Sequence, residues 1–328
     1  MQESQLRLLT RVRDTSSLTV LIGLAVTATL SQILVSEMNW QIAVALIALV
    51  IGIPHGAVDH LLAIPNLFSI KMAIFLLKYL LATGLAIWFI LQFPLLGFQL
   101  IVFFSAAHFG VGDASFCMEI YRRSDYIKFP RALYAIASGF TPVLIPLVNS
   151  HTGQALEEIN PQLLAWAGPF ARQAFFACIA LNLIVASLLF GRKMYRPALD
   201  LLILLTLVLI APPLVAFAIY FGLWHAVRHT ARLTLEFGPS VRQHELGQTW
   251  KSFWLSIRAG LPAVVIVLTL SVWLAFSRTS STSANLLWYL LVVTWALTVP
   301  HMVLTARSDI SALGYDKAKG DNFDRAVH

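Results

Sequence analysis

Long apolar stretches recur along this chain from Leu18 almost to its C-terminus, among them Leu199 to Ile210, Ala263 to Phe276 and Leu286 to Val299. Hydrocarbon offers no hydrogen-bond partners, so a segment that crosses it must satisfy its own backbone, as a helix or as a strand of a closed barrel. The stretches are too long and too continuously apolar for the alternation of a barrel strand, which leaves helices. Only 12% of the 328 residues are charged, against roughly 25% in a soluble domain. No segment remains to build a separate soluble unit. The expected fold class is all-α: a polytopic transmembrane helical bundle forming a single integral membrane domain over residues 1–328.

Apolar length and breaks predict about ten helices, within a range of eight to ten, at 17–35, 40–62, 71–93, 97–118, 131–149, 162–190, 197–211, 213–231, 252–276 and 284–306. Pro212 and Pro213 mark either a tight turn or a kink between the seventh and eighth. Arg7, Arg11 and Arg13 precede the first apolar run, but no small-residue cleavage pattern comes after it, so a retained first helix is expected. Lys and Arg collect in alternate loops: Lys71; Arg122, Arg123, Lys128 and Arg131; Arg192, Lys193 and Arg196; Arg232, Arg242 and Lys251; Arg307, Lys317 and Lys319. The other loops carry Glu37, Glu157, Glu158 and the lone Arg278. The positive-inside bias then puts both termini in the cytoplasm of a multi-pass protein of the cell inner (plasma) membrane. It also accounts for the net charge of +7 through topology and anionic lipid, with no nucleic-acid partner.

Cys117 and Cys178 are the only cysteines and offer neither a disulfide framework nor a thiolate site. The histidines are the chemical signal. His151, His244 and His328 fall in expected loops or the tail, but six lie in or near spans: His55, His60, His108, His225, His229 and His301. Ionisable groups at membrane depth are costly and face the bundle interior or a cavity. All six sit on even-numbered helices in this order of spans, and most share a narrow band of depth. His225 and His229, four apart, lie on one helix face and can present two imidazoles to one ion. His55 and His60 are five apart, about 140° round an ideal helix, and converge only if Pro54 or Gly56 distorts it.

Asp59 lies four residues after His55 and Asp113 five after His108. Either could accept the second ring proton of a ligating histidine, or simply solvate a helix end or pair with an arginine. An all-imidazole site suits iron, copper or zinc, and spacing does not choose among them. Phe103, Phe104, Phe109, Tyr220, Phe221 and Trp224 surround the histidines in sequence and are candidates to line a tunnel for a lipophilic substrate, or to pack and face lipid.

Gly52 to His60 (Gly-Ile-Pro-His-Gly-Ala-Val-Asp-His), Ala-His-Phe-Gly with Asp113, Trp224 to His229 (Trp-His-Ala-Val-Arg-His) and Pro300 to Met302 (Pro-His-Met) together resemble the Brp/Blh family of membrane β-carotene 15,15′-dioxygenases, the bacterioopsin-related protein and its homologues. The resemblance implies an Fe(II) enzyme that inserts dioxygen across the central 15,15′ double bond of β-carotene and releases two retinal molecules for a microbial rhodopsin. Matched motif to motif, it implies His55, His108, His225 and His229 as iron ligands, with His60 and His301 as substitutes or supporting groups. No acid or base beyond the metal site is implied. The competing readings are another histidine-rich membrane metalloenzyme of the desaturase or hydroxylase kind, a bis-histidine haem protein, and a non-enzymatic transporter or opsin-assembly factor. The first would use about eight clustered histidines.

Overall fold

The computed structural model describes residues 3–34, 38–64, 68–121, 129–149, 152–278 and 283–313. Glu37, Arg122, Arg123, Lys128, His151, Lys317, Lys319 and His328 lie outside them. Among the described residues every element is a helix: α1 Glu3–Ile33, α2 Met38–Gly56, α3 Asp59–Ala63, α4 Ile70–Gln92, α5 Pro94–Ile120, α6 Arg131–Val148, α7 Thr152–Ile159, α8 Ala171–Gly191, α9 Tyr195–Ile210, α10 Pro213–Ile219, α11 Ala226–Thr234, α12 Gly238–Glu245, α13 Thr249–Arg278 and α14 Ser283–Leu313. A π-helical stretch, Tyr220–His225, joins α10 directly to α11, so residues 213–234 form one continuous rod.

Among the described residues eight helices are long and apolar enough to cross a membrane, within the expected range. The remaining two expected spans are α9 and the rod from Pro213, shorter or more polar yet packed in the same bundle. Pro212 and Pro213 make a turn between them: the chain is extended at Pro212 and re-enters a helix at Pro213. Three expectations are corrected. The first helix begins at Glu3 rather than near residue 17, extending its basic segment as helix. The expected helix 40–62 is one candidate span, Met38–Ala63, but its helix is interrupted after Gly56, where α2 with its internal Pro54 ends, and resumes at Asp59 as α3. His244, expected in a solvated loop, is buried in α12, a short helix packed on α13.

The bundle has an inner and an outer shell. Half of the apolar window of α5 and of α14 is buried, against 11% of that of α4, whose remaining face is left for lipid. Close approach at the centre depends on small residues: α5 and α6 touch through Gly110 and Gly139, where an added Cβ would run into the carbonyls of Ala135 and Ala106. Around this core α13 packs against α2 and α14, α9 against α1 and α6, and α11 against α1, α2 and α13.

One end of the bundle carries buried charge. Arg13 of α1 donates to Asp200 Oδ2 of α9 at 2.8 and 2.9 Å and to the Tyr121 hydroxyl at 3.2 Å. Arg228 of α11 lies 3.5 Å from Asp200 Oδ2 and 3.4 Å from Asp113 Oδ1 of α5, and its Nε donates to Ser16 Oγ at 3.0 Å. The two guanidiniums and two carboxylates balance, which is what burial of such groups requires. The network ties together the helices that carry His108, His225 and His229.

Candidate metal centre

The break after Gly56 and the π-helical stretch both place histidines. His55 ends α2, and its Nδ1 donates to the Gly52 carbonyl, which leaves Nε2 as the outward face of the ring. The extra residue per turn of a π segment re-aims the side chains beyond it, and such segments recur at functional sites. Here the segment ends at His225, and His229 stands one α-turn further along the rod. His108 sits mid-way along α5, and His301 comes directly after Pro300 in α14.

These five buried imidazoles meet at one place. The ring centroid of His55 lies 5.1 Å from His225, 5.2 Å from His229 and 5.5 Å from His301. His108 lies 5.3 Å from His225 and 5.2 Å from His301, while His229 lies 6.0 Å from His225 and 5.5 Å from His301. Imidazoles bound to one ion through a nitrogen at about 2.1 Å have centroids roughly 4.5 to 6.5 Å apart, so the spacing fits a shared ion. As they stand, no three His, Cys, Asp or Glu side chains among the described residues are drawn together as a finished ion site. The Nε2 atoms of His108, His225, His229 and His301 are all buried without a hydrogen-bond partner. A buried nitrogen left unpaired is costly, and four in one cluster suit a set of metal donors. The residues therefore fit a metal held by neutral imidazoles.

His301 belongs to this cluster as fully as the histidines of the other three helices. Its Nδ1 donates to Asp59 Oδ2 at 2.8 Å, which turns Nε2 toward the other rings. Asp59 thus serves His301 and not His55, because the break after Gly56 destroys the four-residue helical relation on which the pairing with His55 depended. Asp59→Ala is expected to leave the protein folded but to weaken metal binding about 10- to 100-fold, read by competition with a chelator. His60, on α3, stands outside this set of ring contacts. Asp113 is likewise directed elsewhere: five residues past His108 it occupies another face of α5, where it accepts from Trp224 Nε1 at 2.8 Å and pairs with Arg228. It fixes the rod carrying His225 and His229 instead of a ring proton on His108. The Thr305 hydroxyl is the group beside His108 Nδ1, at 3.5 Å.

The aromatics divide. Phe109 packs 4.4 Å from the His225 ring, Phe221 lies edge-on to His55 at 5.7 Å, and Tyr220 lies 5.5 Å from Phe109. These three form the apolar wall of the centre. Gly52 allows it: a Cβ there would collide with the Phe221 ring. Trp224 is committed to Asp113 and to Arg228, whose guanidinium carbon lies 3.4 Å from the indole centroid. Phe103 is more than half exposed and packs on Phe104 and Phe140. Phe104 lines an apolar cavity of about 630 Å³ between α4, α5 and α14, which reaches His108. Exposed Leu85, Phe104 and Val303 are at its rim, so it opens toward lipid. Its α4 wall, with Ala82, Ala86 and Phe89, had no signal in the sequence, since nothing separates these residues from lipid-facing ones. A smaller apolar cavity of about 100 Å³, lined by Phe217, Val143 and Trp295, shares Ile101 with it.

Apolar helices closed around a buried histidine cluster, with an apolar cavity reaching one of its rings from the lipid side, define a multi-pass membrane protein with a histidine-lined centre. The chain belongs to the β-carotene 15,15′-dioxygenase family, whose model matches residues 46–307. It is 25% identical over 295 residues to the probable β-carotene 15,15′-dioxygenase Blh of Halobacterium salinarum, covering 80% of this chain and 82% of that protein. It is 28% identical over 272 residues to the β-carotene 15,15′-dioxygenase of uncultured marine bacterium 66A03, covering 77% of this chain and 88% of that one. No solved structure matches the chain.

Proposed function

We propose that this protein cleaves β-carotene at its central 15,15′ double bond, adding one dioxygen and releasing two retinal molecules, with Fe(II) held by the histidine cluster. The observation that carries the reading is the coincidence of unpartnered imidazole nitrogens with the end of a lipid-open apolar cavity at His108. The family supports the substrate and the reaction. The donors would be His55, His108, His225 and His229, with His301 joining them on the strength of its place in the cluster. When bound, Fe(II) would activate dioxygen toward the carbon–carbon double bond, both oxygen atoms ending in the two aldehydes with no net electron taken from the metal.

The chain's own residues do the rest by position. The cavity of about 630 Å³ takes up an apolar rod from the bilayer, and burial of its hydrocarbon surface provides the binding. Ala107 and His108 set how far the rod advances, hence which double bond stands at the cluster. Phe109, Tyr220 and Phe221 exclude water from the reacting face. Asp59 holds the His301 ring, and Asp113 with Arg228 holds the rod that carries His225 and His229. No general acid or base is required.

The membrane is the cell inner membrane, with the end bearing Arg13 and Arg232 toward the cytoplasm, as the positive-inside bias supports. Retinal would pass into the bilayer or to a rhodopsin. Expression in a β-carotene-producing bacterium tests the reading: loss of orange colour with retinal as product supports it. Unchanged β-carotene beside well-expressed, iron-loaded protein sinks it. Filling the cavity separates substrate from metal: Ala107→Trp should lower cleavage about 100-fold while iron content stays at the wild-type level.

A further inference from the structure

A second cavity meets the histidine cluster at a different ring and carries Asp, Glu and Arg side chains, of which the cavity at His108 has none. It measures about 180 Å³ and is lined by Asp59, Glu236, Asp309, Arg232 and His229, with Ala63 and Leu62 on its wall. Glu236 and Ala63 are exposed, so it opens to the surface at the charged end of the bundle. Carboxylates outnumber the one cation there, and Arg232 is itself engaged: Glu119 lies 3.1 Å from its guanidinium and Asp309 also pairs with it. At its inner end stands His229, buried, with Nε2 unpartnered.

We propose that this cavity is the vestibule through which a divalent cation, ferrous iron if the proposed function holds, reaches the histidine centre from the aqueous side. The apolar cavity ends at His108, and both His108 and His229 touch His225 and His301, so hydrocarbon and ion would arrive at one cluster by separate routes. A hydrated dication does not cross the apolar route, because stripping its water in hydrocarbon is prohibitive. The exposed Glu236 carboxylate at the mouth attracts it, the buried Asp59 and Asp309 further in keep the passage negative, and imidazoles at the inner end exchange for its water. Asp59 stands at both places: it lines the vestibule and orients His301.

The inference rests on the iron reading, and loading kinetics separate the two. Metal-free protein in detergent is mixed anaerobically with Fe(II), and bound iron is counted against time after rapid desalting. Glu236→Gln, at an exposed position, is expected to slow loading about threefold or more and to flatten its dependence on ionic strength, while final iron content stays unchanged. Ala63→Trp, narrowing the mouth, should slow loading without altering the salt dependence. Phe104→Ala, in the apolar cavity, should load as wild type does. Wild-type loading rates in both Glu236→Gln and Ala63→Trp overturn the vestibule while leaving the iron centre standing. A lowered iron capacity in Glu236→Gln at an unchanged rate also overturns it. If wild-type protein takes up no iron, the metal reading falls and the vestibule with it.

Discussion

His225→Ala and His229→Ala are each expected to abolish β-carotene cleavage and to weaken iron binding by more than about 100-fold, since each removes a donor where loss of a mere supporting group already costs about 10- to 100-fold. The effect should be chemical and not structural. Both side chains are buried at the cluster with Nε2 unpartnered, so truncation removes no existing hydrogen bond from that nitrogen. Metal-free variants should therefore unfold within a few degrees of metal-free wild type. Iron per chain and retinal production, measured on the same preparations, check this. A fully active single variant removes that residue from the donor set. The same assay applied to His301→Ala decides whether the fifth ring binds iron or only packs.

The second large effect is expected from Asp200→Ala. Asp200 accepts from Arg13 through two nitrogens and also faces Arg228, so its removal leaves two buried guanidiniums with Asp113 as the remaining carboxylate of the network. Breaking a buried ionic group in this way costs about 3 to 5 kcal/mol. Unfolding of the purified protein in detergent should register a loss of that size, in metal-free and loaded protein alike. Replacing both partners, as in Arg13→Met with Asp200→Leu, should recover much of it, because the unpaired charge is then gone. A loss below about 1 kcal/mol for Asp200→Ala would mean that water reaches these groups and that the network is a solvated surface pair.

Much of this architecture is legible in the sequence because a bilayer simplifies the reading: apolar length alone finds the spans. The starts of α4, α6, α9 and the Pro213 rod lie within two residues of their expected places. What apolar length does not find are short helices that lie outside that rule, α7 and α12, and with the latter the burial of His244. The i, i+4 relation of His225 and His229 survives because α11 is regular between them. Relations that assume an ideal helix fail where the helix is not ideal or where the angle was already wrong. Asp59 loses its register with His55 at the break after Gly56, and Asp113 stands about 140° from His108 and finds Trp224. The π-helical stretch has no sequence signature, since it arises from how the rod packs against α2 and α1. His301 carries no helical partner in sequence, and only the meeting of α14 with α2 and α5 brings it to the cluster.

Iron titration with turnover measured at each point tests the central claim most directly. Metal-free protein receives increasing Fe(II), and bound iron and the rate of retinal formation from β-carotene are recorded together. The account predicts no cleavage without iron, a rate that rises in proportion to bound iron and saturates with it, and loss of both when a chelator is added. Retinal formation that is independent of bound iron, or iron binding undiminished in His225→Ala and His229→Ala, would contradict it.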